Sequence, residues 1–190
     1  DLTATAVALR TMPPAHAGLG TTVDAEVVAL AELVEAAQVA LLARVAVLDT
    51  SGIARSDGHG STEAWLAART PMSRTTAGRT VRLARRLHRG TPVNGAAPLP
   101  GTATALGAGR LSVEHASIIA TTTEHLPAAV VPDAEAVLVE AATRLAPAQL
   151  RIAARRLHRL LLPDHDTRAA AAHDTRYLHL TPALYGMWAI

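Results

Sequence analysis

The stretch Gly107-Ala108-Gly109-Arg110-Leu111-Ser112-Val113-Glu114-His115-Ala116 reads as a helix end, a tight turn and the capped start of a new helix. Gly109 is suited to the left-handed conformation that closes a helix. Ser112 is suited to accept a backbone N–H and open the next one. His115 lies within reach of the preceding helix end or a backbone carbonyl. A single helical histidine is more often a satisfied packing residue than a ligand. The same grammar recurs upstream, as a helix over 61–69, the turn Thr70-Pro71-Met72-Ser73 and a helix over 74–89. Two tight helix-turn-helix units, one ending in a strongly basic helix, point to a nucleic-acid-associated module.

Working outward, further helices are expected over 102–108, 112–125, 133–145 and 147–162, with Thr91 to Gly101 as a Pro/Gly linker. A long first helix runs from Thr21, whose hydroxyl and Asp24 three residues on form a cap, to about Leu48. Its residues Val27, Leu30, Val34, Ala37, Leu41 and Leu48 follow a 3-4 spacing that Arg44 interrupts. Val28, Val39 and Leu42 extend the apolar character, so the helix needs cover on more than one side. Six later helices are available to wrap it; the alternative is pairing with a second chain. Residues 1–20, with Pro13-Pro14, Gly18 and Gly20, read as a disordered lead-in. Residues 21–163 form the helical domain, and 164–190 a linker and the start of a hairpin. There Tyr177-Leu178-His179-Leu180 alternates and pairs with Tyr185 to Ile190 across Thr181-Pro182. The expected fold is mainly α, a multi-helix bundle with helix-turn-helix-like units and the start of a small β-hairpin at the C-terminus.

Composition agrees. The chain has 190 residues, no Phe and 2% aromatics, so Ala, Leu and Val must fill the core, which favours close-packed helices. All 18 basic residues are Arg, the better bidentate binder of phosphate and guanine. The net charge is only +2, so any basic surface is local. The absence of cysteine excludes disulfides and Cys-ligated zinc. The apolar run Ala25 to Leu48 is broken by Glu26, Glu32, Glu35 and Arg44, so no membrane span is expected. With no basic region before an apolar stretch at the N-terminus, a cytoplasmic location is expected. The start at Asp1 and the end at Ile190, directly after an apolar stretch, lead to the expectation of a fragment.

The 74–89 helix is the best functional candidate. At 100° per residue, Ala77, Thr80, Val81, Leu83, Ala84 and Leu87 cover one arc, and Arg79, Arg82, Arg85, Arg86 and Arg89 the opposite one. Five outward arginines suit a phosphate backbone, since each neutralised phosphate releases counterions. If this helix enters a major groove N-terminus first, Arg74, Thr75 and Thr76 are nearest the base edges. The competing reading is the solvated face of an ordinary Arg-rich helix. The 147–162 helix repeats the design, with Leu150, Ala153, Leu157, Leu160 and Leu161 on one face and Arg151, Arg155, Arg159 and His158 across from it. Both helices contain one phrase, Ala84-Arg85-Arg86-Leu87-His88-Arg89 and Ala154-Arg155-Arg156-Leu157-His158-Arg159.

No catalytic constellation is expected in this chain, and no cofactor. Asp164-His165-Asp166, His173-Asp174 and His179 have ligand chemistry but no standard metal spacing. An HNH centre needs an Asn between metal-side histidines, and Asn94, the only Asn, sits in the Pro/Gly linker.

Three stretches carry a family resemblance: Gly60-Ser61-Thr62-Glu63-Ala64-Trp65-Leu66-Ala67-Ala68; Ala105 to Ala116 around the central turn; and Leu145-Ala146-Pro147-Ala148-Gln149-Leu150 with Ala153 to Leu157. The chain, from roughly Val27 onward, resembles domain of unknown function 222, the N-terminal part of the thirteen-E-twelve repeat proteins of actinobacteria. Pro71 stands where that family usually has a turn glycine, and Ala146 where it usually has a serine cap. The resemblance implies a helical module of an HNH-endonuclease-like or mobile-element protein. Any nuclease centre, with its divalent metal, then lies beyond Ile190. The combined expectation is a non-catalytic module that assists DNA binding through its basic helices. The alternative is an interaction or homo-oligomerisation domain built on the long first helix.

Overall fold

Serine caps open the central helices where the sequence places them. In the computed structural model, which describes residues 1–11, 20–90, 95–162, 181–182 and 188–189, Ser61 Oγ accepts from Ala64 N, Ser73 Oγ from Thr76 N and Ser112 Oγ from His115 N. The elements are α1 (Leu2–Arg10), α2 (Gly20–Ser51), α3 (Ile53–Ser56), α4 (Thr62–Arg69), α5 (Arg74–His88), α6 (Pro100–Gly107), α7 (Val113–Thr122), α8 (Val131–Ala142) and α9 (Pro147–Leu161). Two short strands, β1 (Thr181–Pro182) and β2 (Trp188–Ala189), pair antiparallel with Thr181 opposite Ala189 and Pro182 opposite Trp188. The fold is mainly α.

Helix α5 is the hub. It packs against α2, α4, α6 and α7, while α7 in turn packs against α8 and α9. Ala77, Val81, Leu83, Ala84 and Leu87 are buried, as the apolar arc requires. Around them Val45, Leu99, Ile119, Val131, Leu138 and Leu150 complete a core of aliphatic side chains. Alanines at 77, 84, 105 and 116 let the helices approach closely without aromatic filler.

The α6–α7 turn has the geometry its sequence calls for. Gly109 sits at φ +69°, Gly109 N donates to Leu106 O, and Arg110 N donates to Ala105 O, which together make a Schellman closure. His115 is satisfied on both sides. Its Nδ1 accepts from Ser112, and its Nε2 reaches Leu145 O at 2.9 Å, which requires the Nε2–H tautomer. It is a structural tie between α7 and the start of α9.

Two glutamates cap helices of other parts of the chain. Glu135 of α8, itself buried, accepts from Thr102 N and Thr102 Oγ1 at the start of α6. A Cβ at Gly101 would meet that carboxylate at 3.4 Å, so glycine leaves it room. Glu35 of α2 accepts from Val113 N, the first amide of α7, at 3.0 Å. Carboxylates suit both places because the first amides of a helix lack internal partners.

Four expectations are corrected. Residues 2–10, read as part of a disordered lead-in, form α1, capped by Asp1, with no residue buried. The cover expected for the long first helix reaches only its C-terminal part. Leu42, Val45 and Ala46 are buried, whereas Val27, Leu30 and Val34 are 60%, 38% and 54% exposed. The linker before α6 is tightly held: Leu99 is fully buried and donates its N–H to Arg86 O. Finally, Thr181-Pro182, read as the hairpin connection, lies in β1 itself; Thr21, read as the cap, lies within α2, which begins at Gly20, and the strand over 177–180 and Asn94 lie outside the described residues.

Candidate nucleic-acid interface

The arginines of α5 divide into two groups. Arg85 turns toward α2, where its Nε and Nη2 bind Asp49 in a fork at 2.8 and 2.7 Å. Its Nη1 lies 3.2 Å from Glu63, and Arg89 adds a second contact to Asp49 at 3.4 Å. Thr62 Oγ1 donates to the same carboxylate at 2.8 Å. The Asp49 side chain is only 5% exposed. The Arg85 hydrogen bonds hold its carboxyl below the ordinary carboxylate range, against the opposing effect of burial.

Arg86 is buried, at 7% exposure. Its Nε donates to Ala97 O, Nη1 to Ala120 O and Nη2 to Thr123 Oγ1. One guanidinium thus ties α5 to the segment before α6 and to the C-terminal end of α7. Burial lowers its pKa from the usual arginine value, and nearby Glu124 and Glu135 act in the opposite sense. An arginine in this setting stays charged. The expectation that all five arginines face outward is therefore wrong for Arg85, Arg86 and Arg89. The fork and the clamp use arginine's planar donor set to join helices, a role that a helical wheel does not display.

Arg74, Arg79 and Arg82 are exposed and form no ion pair among the described residues. Arg79 and Arg82 line a cleft of about 300 Å³ between α5 and α7, together with Ser117, Thr121 and Glu124. A second cleft of about 290 Å³ opens on the other flank of α7, lined by Arg151 and Arg155 of α9 with Glu114, Ser117 and Thr121. Ser117 and Thr121 belong to both. The exposed edge of α7 is thus a ridge of hydroxyls with an arginine row on each side. The basic faces of α5 and α9, separate in sequence, share one surface. The two clefts hold five arginines against two glutamates, so the surface is net positive. Arg151 is tempered by an exposed ion pair to Glu114 at 3.0 Å, and Arg86 belongs to the clamp. That leaves Arg79, Arg82 and Arg155 as the cleft cations free of an ion pair among the described residues.

The remaining candidates lie elsewhere. Arg74, Thr75 and Thr76 sit in the exposed first turn of α5 and line neither cleft; the Thr76 and Ser73 hydroxyls bond each other at 2.9 Å. Arg159 is exposed near the end of α9. Leu160, read as part of the packed face of α9, is 77% exposed. Ser117 and Thr121 are not residues that the sequence singles out. Their signal is faint: two small hydroxylic residues one turn apart, on a helix without a charge pattern.

Among the described residues there is no group of three or more His, Asp or Glu side chains placed to hold a metal ion. None of their helices is long and apolar enough to cross a membrane.

An α-helical module with an arginine-flanked ridge is the class that fold and surface define. The chain belongs to the family described as Domain of unknown function (DUF222), whose profile matches residues 21–190. Neither a curated protein nor a solved structure matches it.

Proposed function

We propose that this chain is a non-catalytic, cytoplasmic module that holds DNA by its phosphate backbone along the α7 ridge. The observation that carries the reading is the shared wall of Ser117 and Thr121, which sets Arg79 and Arg82 on one flank of α7 and Arg155 on the other. Arginines supply bidentate phosphate contacts, while the Ser117 and Thr121 hydroxyls, which donate to Val113 O and Ser117 O, keep the ridge between the arginine rows small and polar. The ridge has no aromatic side chain to stack on a base and no Asn or Gln to read adenine. The phosphate backbone is the contact that the two arginine rows supply whatever the sequence. This moves the contact from the first turn of α5 to its middle. In keeping with the family resemblance, the reading includes an HNH-nuclease-like parent in which cleavage, and the divalent metal it uses, belong to another module.

Binding of a labelled duplex across a salt series tests this. The wild type is expected to lose affinity steeply with salt. Arg79→Ala/Arg82→Ala should lower the log–log slope by about 2, at roughly 0.9 for each phosphate no longer neutralised, and Arg155→Ala by about 1. Arg86 stays intact in these variants because its loss would disturb the fold. No salt-dependent binding by the wild type, or folded variants with wild-type affinity and slope, would end the proposal.

A further inference from the structure

Five of the thirteen large apolar side chains exposed in the described part of the molecule fall between Val27 and Val34 of α2. Within this arm Val27, Leu30, Val34, Ala37 and Leu41 form a stripe of alternating three- and four-residue steps, spanning about 21 Å. The bond from Val113 N to Glu35 and the burial of Leu42 and Ala46 fix the roll of the helix. Asp24, Glu32 and Glu35 then lie roughly 100–180° around the helix from the centre of the stripe. Val27, Leu30 and Val34 therefore point away from the body of the domain, with the acids behind them, while Leu41 already packs against the core.

We infer that this stripe is a two-stranded coiled-coil seam whose partner is the same stripe of a second copy of this chain, in parallel. Three features select that occupant. Val27 and Val34 take the a positions and Leu30 the d position between them, the β-branched and Leu alternation that favours a parallel pair. Charge allows it: in a parallel pair Glu26 flanks the seam opposite Ala31, and Leu33 opposite Gln38, so no like charges meet before Arg44. The four carboxylates Asp24, Glu26, Glu32 and Glu35, with no Arg or Lys between Asp24 and Arg44, disfavour DNA or an anionic lipid surface on this arm. Arg44 occupies the next d position and ends the seam where the domain begins. Such a pair would carry two α7 ridges, yet the inference stands whether or not those ridges bind DNA.

Sedimentation of the whole chain from about 1 to 100 µM tests it, since self-association makes the mass rise with concentration. The mass should rise from 19.7 kDa toward twice that value. Leu30→Glu/Val34→Glu should stay monomeric over the range, with unchanged helical circular dichroism, because both residues are exposed in the single chain. The chain has no cysteine, so a Val34→Cys variant offers one thiol per copy, which should cross-link under mild oxidation. Ala25→Cys, on the opposite side of the arm, should not. A single monomeric mass at every concentration overturns the inference. So does a dimer that survives the double glutamate variant, or one that cross-links through Ala25→Cys as readily as through Val34→Cys.

Discussion

Helices α5 and α9 contain the same six residues, Ala-Arg-Arg-Leu-His-Arg, over 84–89 and 154–159, and use them in opposite ways. Both alanines are buried. Beyond that the copies diverge. Arg85 and Arg89 hold Asp49, and Arg86 is buried in its clamp of two carbonyls and a hydroxyl. Arg155, Arg156 and Arg159 are all exposed. The difference lies in the neighbours. Helix α5 is surrounded by α2, α4, α6 and α7, so the arginines of its last turn still meet backbone carbonyls and carboxylates. Among the described elements helix α9 packs chiefly on α7 and α8, and the same arc is exposed. An arginine count along a helix thus measures donor capacity, and the surrounding packing decides whether it is used inside the protein or outside it.

The largest expected effect separates the middle arginines of the two copies. Arg86→Ala strands Ala97 O and Ala120 O and removes the tie between three segments. It should cost about 3–5 kcal/mol, the scale of breaking a buried, charge-assisted network. Arg156→Ala should stay within about 0.5 kcal/mol. Urea denaturation of both variants measures this directly. Equal losses would mean that neighbours do not decide the role of the motif.

A second effect, smaller, concerns acid. Asp49 anchors Arg85, Arg89 and Thr62 on the α5 side only. Its folded carboxyl lies below its ordinary value of 3.8, chiefly through the Arg85 hydrogen bonds. The deprotonated form is favoured in the folded state, so the resulting stability is present above that ordinary value. It is lost as the pH falls through the lower folded value. Asp49→Asn should cost about 2 kcal/mol at neutral pH, less than for a dry pair because Arg85 remains partly open to water. The gap between wild type and variant should narrow below about pH 4. An Arg155→Ala/Arg159→Ala chain should keep the wild-type acid profile, since those arginines hold no buried carboxylate among the described residues. A gap that persists unchanged at about pH 2 would remove the carboxylate from the account.

Helix ends are legible in the sequence because they are local. Ser61, Ser73 and Ser112 act within three residues of themselves, and Gly109 needs only its own φ. The apolar arc of α5 is legible for the same reason, since periodicity alone identifies it. The Arg86 clamp is not, because its acceptors lie 11, 34 and 37 residues away, two of them backbone atoms with no side-chain signature. Nor does composition show which part of α2 is covered. Its apolar residues continue on all sides, and only the reach of α5 and α7 sets where burial stops. The ridge on α7 needs the structure most of all, because it exists only through the placement of α5 and α9 on either side.

The smallest effect sharpens the comparison at the other end of the two helices. The cap residues of α5 and α9 share one backbone geometry, φ −64° and ψ 156°, at Ser73 and Ala146. Ser73 Oγ accepts from Thr76 N at 3.1 Å. Ala146 has no acceptor, so α9 keeps only half of a capping box, with Gln149 Oε1 accepting from Ala146 N at 3.1 Å. Pro147 at the first position already suits a helix start, and the backbone at 146 needs no adjustment to receive a hydroxyl. Ala146→Ser should therefore let Oγ accept from Gln149 N and stabilise the chain by about 0.5–1 kcal/mol, while Ser73→Ala should destabilise it by a similar amount. Both should shift the urea midpoint without changing the slope. Opposite and comparable shifts would show that the two caps are interchangeable where the two arginine clusters are not. If Ala146→Ser is neutral while Ser73→Ala is costly, the burial of α5 also governs what its cap is worth, and the contrast between the helices extends along their whole length.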